Sequence, residues 1–145
     1  MADRLRNGRV GFLMSGLGAI VAAAFAGWLS GALWYSIFAK AWIGASGVKT
    51  DAAGRPVTRA RPAPYLVSFL SAIIVAATMY YAFDMLGIVT VGKGFTSGLG
   101  IGVCFAAPWI ATSYGFAGQP VALALLDAGY AAIGSAVIGA VVTLF

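Results

Sequence analysis

One carboxyl group, Asp127, stands well inside an apolar run, Val121-Ala122-Leu123-Ala124-Leu125-Leu126-Asp127-Ala128-Gly129-Tyr130, and no other charged side chain is so placed. At the centre of a membrane helix an acid costs roughly 2.5–3.5 kcal/mol on insertion scales, so it needs a partner or a task. Three chemistries fit: a hydrogen-bonded or ion-paired helix contact, a proton or ion relay, and a contact to a ligand or lipid headgroup. The residues expected nearest to it are Tyr35, Trp109 and Lys40, since phenol and indole donate to a carboxylate and a lysine stem reaches along a helix end. Together Tyr35, Lys40, Trp109 and Asp127 form the expected polar cluster.

Other chemistry finds few groups to work with. The chain has no His and no Glu, so imidazole catalysis and the usual zinc and haem ligand sets are missing. Cys104 is alone and makes neither a metal site nor an intrachain disulfide. Asp84 and Asp127 are expected toward opposite faces, which argues against an aspartyl dyad. Gly98-Leu99-Gly100-Ile101-Gly102 lacks the strand-turn-helix setting of a phosphate cradle and reads as a packing surface. No enzymatic activity, cofactor or metal is expected.

The elements that must position Asp127 follow from composition. Of 145 residues, 61% are hydrophobic and 9% charged, and the mean hydropathy is +0.95. Soluble domains carry about 25% charged residues, so an all-α integral membrane bundle is predicted. Four transmembrane helices of about 20 residues each account for most of the chain. They are predicted at about 10–38, 65–83, 95–114 and 120–144, forming one transmembrane domain. Arg4 to Arg9 before an apolar run resembles a leader, but that run continues through Trp28 and Leu33, so the segment is read as a retained first span. Between the first two spans, the loop at about 40–64 has no strong period and is predicted to be a mobile surface segment. Pro108 inside the third span removes a donor to the Cys104 carbonyl and predicts a kink.

Charge gives a net +5, but the basic residues flank the spans as topology charges do, and nucleic acid is not an expected partner. One side carries Arg4, Arg6, Arg9 and Lys93, the other Lys40, Lys49, Arg55, Arg59 and Arg61. Four against five leaves orientation nearly balanced, with a slight lean to a cytoplasmic long loop. Facing inward, its cations can contact anionic lipid at about 1 kcal/mol each. The expected location is a bacterial inner membrane.

Small residues four apart let helix backbones approach closely in lipid. The first span carries Gly11, Ser15, Ala19, Ala23, Gly27 and Gly31, the third Gly94, Gly98, Gly102 and Ala106, and the fourth Ala124, Ala128, Ala132, Ala136 and Ala140. Gly11, Ser15, Gly27, Gly31, Gly98, Gly102, Ala128 and Ala132 are the predicted packing residues. The ladders fit contacts within one chain or between chains.

Gly31-Ala32-Leu33-Trp34-Tyr35-Ser36, then Lys40-Ala41-Trp42, and later Ala107-Pro108 and Asp127-Ala128-Gly129-Tyr130, resemble the DUF1761 family of small membrane proteins. The resemblance runs from about Gly27 onward and implies four membrane helices with no established activity. It also implies Pro after Trp-Tyr-Ser and Asn at the acid, where this chain has Ile37 and Asp127. An amide at that position argues against a mechanism that needs a titratable group, and the family pattern favours an inward-facing loop.

Two function classes follow. The favoured one is an interaction protein, a homo-oligomer or accessory subunit of a larger membrane complex, surrounded by membrane lipids and docking through its small-residue faces. The alternative is a small oligomeric transporter or channel for a solute or ion using Asp127. The first expects a dry, hydrogen-bonded acid and the second a water-accessible one.

Overall fold

The structure is a computed structural model and describes residues 16–145. Of the predicted packing residues, Gly11 and Ser15 lie outside the described residues. Four helical stretches are long and apolar enough to cross a membrane: Gly16–Ile37, Ala63–Leu86, Val91–Phe116 and Val121–Val142. The all-α fold class is that of the sequence reading, and among the described residues there is no strand.

Helix α1 (Ala2–Ile37) breaks at Phe38, and α2 (Ala39–Ser46) follows at once. The segment at 40–64 thus carries structure that its weak periodicity did not announce. Gly47 at φ 63° closes α2, and Thr50 pairs with Pro56 in an isolated antiparallel bridge. Within that bridge the Asp51 carboxylate accepts from the backbone N–H groups of Ala53 and Arg55 at 2.9 Å each, and from Arg55 Nε at 3.3 Å. An aspartate bonding to N–H groups two and four residues on is turn chemistry, and it fixes the tip of the loop. A 3-10 turn, Val57–Ala60, then leads to α3 (Ala63–Leu86), whose cap is Pro62 and whose first turn contains Pro64. Proline suits that place because its missing N–H has no helical partner there.

At the far end, Gly87 takes φ 66° and the Ile88 N–H donates to the Phe83 carbonyl at 2.9 Å, a left-handed helix stop. The third span starts at Val91, earlier than predicted, because the Thr90 hydroxyl caps the Lys93 N–H. It consists of α4 (Val91–Ile101), a π-helical turn (Gly102–Ala106) and α5 (Ala107–Phe116). In the π turn the Ala107 N–H donates to the Gly102 carbonyl, five residues back. Pro108 therefore sits in the first turn of a restarted helix, where its missing donor is tolerated. The predicted kink takes the form of this wide turn. Gly118 at φ 64° ends α5, and α6 (Val121–Val142) begins after Pro120.

Helix α6 is the hub, touching α1, α3, α4 and α5. Its contact with α4 is made through missing side chains. A Cβ on Gly94 would fall on the Gly139 carbonyl, one on Gly98 on the Ser135 carbonyl, and one on Gly102 on the Ala132 backbone. Ser135 and Ala132 are each 9% exposed beneath them. On the other side a Cβ on Gly27 would come within 2.5 Å of Ile138, and one on Gly31 within 2.8 Å of the Tyr130 ring. Among the described residues, the ladder glycines thus pack against helices of the same chain. Ala19 and Ala23 are fully buried, while Ala128 is half-buried. The apolar core, Ile20, Ala24, Ala76, Met79, Phe83, Ile138 and Val142 among others, joins α1, α3 and α6.

Gly98→Leu should break the α4–α6 contact, because the obstacle is backbone that cannot give way. A loss of at least about 1–3 kcal/mol is expected from thermal unfolding in detergent. Gly100→Ala, with nothing within 4 Å of its Cβ, should change stability by less than about 0.5 kcal/mol.

Candidate functional site

Asp127 is answered by three donors from three helices. The Tyr35 hydroxyl of α1 donates to Oδ1 at 2.7 Å, the Trp42 indole N–H of α2 donates to the same oxygen at 3.2 Å, and the Tyr114 hydroxyl of α5 donates to Oδ2 at 2.7 Å. Both carboxyl oxygens are therefore occupied, and the residue is half-buried. An acid with neutral donors on both oxygens is a fastening point between helices.

The surrounding aromatic residues lock the same corner. Tyr35 meets Trp42 edge-on at 6.0 Å between ring centroids and Tyr130 at 5.3 Å. The Trp34 indole N–H donates to the Leu126 carbonyl at 3.1 Å. That indole lies where a side chain on residue 129 would be, 2.7 Å from a Cβ built on Gly129. Tyr130 in turn lies across Gly31. Glycines at 31 and 129 are needed here because a Cβ at either position would run into a ring.

Of the four residues expected to cluster, the structure joins Tyr35 to Asp127 and holds Trp109 and Lys40 apart. Trp109 is 65% exposed on the outer side of the third span. What places Trp109 outside the cluster is its direction around the helix. At 100° per residue, an unbroken helix would return Trp109 to within about 20° of Gly102, on the face that meets α6. The π turn spends one extra residue per turn, so everything after it lags by about 100°. Trp109 swings outward and Tyr114 swings in toward Asp127. Lys40 is exposed and, among the described residues, makes no ion pair with Asp127. Lys40 lies exposed in the first turn of α2, and Trp42, two residues on, is the α2 side chain that reaches Asp127.

Trp42 and Tyr114 are thus the residues that the expected cluster lacks. A signal existed for Trp42, which sits seven residues after Tyr35 and shares its helix face over two turns. For Tyr114 the only signal was the short α5–α6 turn: a tyrosine two residues from one helix end reaches an acid six residues into the next, an axial offset of about 6 Å.

In front of this corner lies a cavity of about 740 Å³ between the C-terminal end of α1, α2, the basic loop and the start of α3. Its wall includes Trp28, Tyr35, Trp42, Tyr65 and Tyr130, and its rim Lys40, Arg55 and Arg59. Tyr35 and Trp42 hence have two sides, one toward Asp127 and one toward the cavity. Polar atoms along this wall are already engaged: the Trp28 indole N–H donates to Ser68 Oγ at 3.0 Å, and the Ser68 hydroxyl donates to the Tyr65 carbonyl at 2.9 Å.

The residues that close this site, Trp34, Tyr35 and Trp42 on one side and Asp127 to Tyr130 on the other, are those of the motif. The family described as a protein of unknown function, DUF1761, matches over residues 18–143. The chain belongs to the DUF1761 family. No curated protein and no solved structure matches it. In this DUF1761 member the matched region includes all four membrane-length stretches almost entirely.

If Asp127 acts by accepting hydrogen bonds, Asp127→Leu should lower resistance to unfolding by about 1–3 kcal/mol, leaving three donors unanswered. Asp127→Asn keeps an acceptor for Tyr35 and Trp42, and the Tyr114 hydroxyl can turn to accept from the amide, so it should cost less than about 1 kcal/mol. Equal losses in the two variants, measured by unfolding in mixed micelles, would rule out hydrogen bonding as what the carboxyl supplies.

Proposed function

We propose that this chain is a non-catalytic binding protein of a bacterial inner membrane, with the loop-side cavity as its working surface. One observation carries the reading: the same two side chains, Tyr35 and Trp42, are held by Asp127 behind and line the cavity in front. An expensive acid is then explained as the group that sets the shape of a binding wall. Pockets of 300–1,000 Å³ with aromatic walls and a few polar groups suit small ligands, and about 740 Å³ lies in that range. The transport alternative has less support, because the oxygens of Asp127 are taken up by three neutral donors instead of facing an open path.

Association with other membrane helices, as a homo-oligomer or an accessory subunit, is the second reading. The small-residue ladders give it little support, since their described glycines face helices of the same chain. What favours it is the third span, which has 17% of its apolar window buried within the chain, the lowest share of the four, with Phe105 and Trp109 outward.

Purified from native membranes in mild detergent, the protein should carry a small non-protein adduct in intact-complex mass spectra. Ala32→Phe, which places a ring in the cavity, should remove it; wild-type protein free of any adduct would sink the binding reading. The same spectra report oligomeric state. For the homo-oligomer, a short bismaleimide should join two copies through Cys104, the sole and exposed cysteine. Complete labelling of Cys104 without a cross-linked band counts against docking through that face.

A further inference from the structure

Resting on the binding reading above, we infer that the cavity holds the headgroup and adjoining chain segment of an anionic membrane phospholipid. The two ends of the cavity ask for different chemistry. At the rim stand three cations on three separate pieces of backbone: Lys40 in α2, Arg55 in the bridged turn and Arg59 in the 3-10 turn. The one carboxylate beside them, Asp51, is occupied by two backbone N–H groups and Arg55 Nε. Arg55 keeps its four terminal N–H donors, and among the described residues Lys40 and Arg59 have no ion-pair partner. Positive charge therefore exceeds negative at the rim, and an anion is the complementary occupant.

Deeper in, the demand reverses. The indole of Trp28 is bonded to Ser68, Ser68 to the backbone, the Ser36 hydroxyl to the Ala32 carbonyl, and the Tyr35 hydroxyl to Asp127. These groups turn their hydrogen-bonding capacity into the protein and leave aromatic faces and methyl groups toward the cavity. Of the wall's phenols and indoles only Tyr65, at the start of α3, shows no side-chain hydrogen bond among the described residues, so a sugar or nucleotide would find few donors to satisfy it; a hydrocarbon segment loses nothing. The cavity also lies at the end of two membrane-length helices, α1 and α3, which is the depth of lipid headgroups. Its volume is too small for a complete two-chain lipid and suits a headgroup with the first part of a chain. Lipid also accounts for the aromatic ring set, since Trp and Tyr present an apolar body and a polar edge at this depth.

Two of the four tryptophans, Trp28 and Trp42, line the cavity and report its contents directly. Full-length protein carrying Trp109→Phe, which removes the outward-facing indole, would be reconstituted in phosphatidylcholine nanodiscs containing brominated phosphatidylglycerol or, at the same mole fraction, brominated phosphatidylcholine. Bromine quenches indole on contact. Brominated phosphatidylglycerol should quench more strongly, with a half-maximal mole fraction several-fold lower. Lys40→Gln and Arg59→Gln should each reduce that preference by roughly fivefold, and Ala32→Phe should abolish it. Inorganic phosphate alone should leave the emission unchanged; a phosphate-induced change that displaces the lipid would overturn the lipid assignment in favour of a soluble anion. Equal quenching by both lipids, still reduced by Ala32→Phe, overturns the anionic preference and leaves the cavity a binding site. Quenching that ignores Ala32→Phe as well would remove both readings. Retained unfolding temperatures in the charge variants, which alter exposed side chains, exclude misfolding as the cause of a lost preference.

Discussion

A carboxyl group in an apolar helix must be answered by donors from elsewhere in the chain, because no water is at hand to do so. In this chain the donors come from α1, α2 and α5, and the acid from α6, so one side chain ties four elements at a single point. For Tyr114 to arrive there with Tyr35 and Trp42, the third span must change phase before Pro108, and α6 must sit close against α4. The π turn of the third span thus has its counterpart in the Tyr114 hydrogen bond of Asp127.

The close approach of α4 and α6 is what makes the arrangement rigid. Without a water-driven force between lipid-facing helices, association depends on contact area and short backbone distances. Gly94, Gly98 and Gly102 supply both along one face, with Gly139 reciprocating from α6. The apolar core of α1, α3 and α6 continues the same logic with alanines and a few larger side chains. The bundle is closed by small residues where α4 meets α6 and by larger ones in the core of α1, α3 and α6.

Much of this was legible before the structure. The four spans, the small-residue faces and the isolation of Asp127 follow from hydropathy and four-residue spacing, and the Trp-Tyr-Ser and Lys-x-Trp motif names two of the three donors. What could not be read is angular. Depth along a helix is counted in residues, and that count alone placed Trp109 among the residues expected near Asp127. Direction depends on every turn being an α turn, and the five residues from Gly102 to Ala106 break that assumption. The structure within 40–64 was missed for another reason: its order comes from the Asp51 side chain bonding backbone, which has no hydrophobic period to detect.

Helix α2 has eight residues and none of them is buried. It is held to the bundle by the Trp42 indole, through one hydrogen bond and one edge-on ring contact. In the language of local unfolding, α2 has a smaller opening free energy than α6, which buries eight residues, and it can detach while the longer helices stay assembled. Its detachment would take one donor of three from Asp127 and leave the two tyrosines in place. The fastening of the bundle and the roof of the cavity are thus separable events, and amide exchange in α2 should run ahead of exchange in α6.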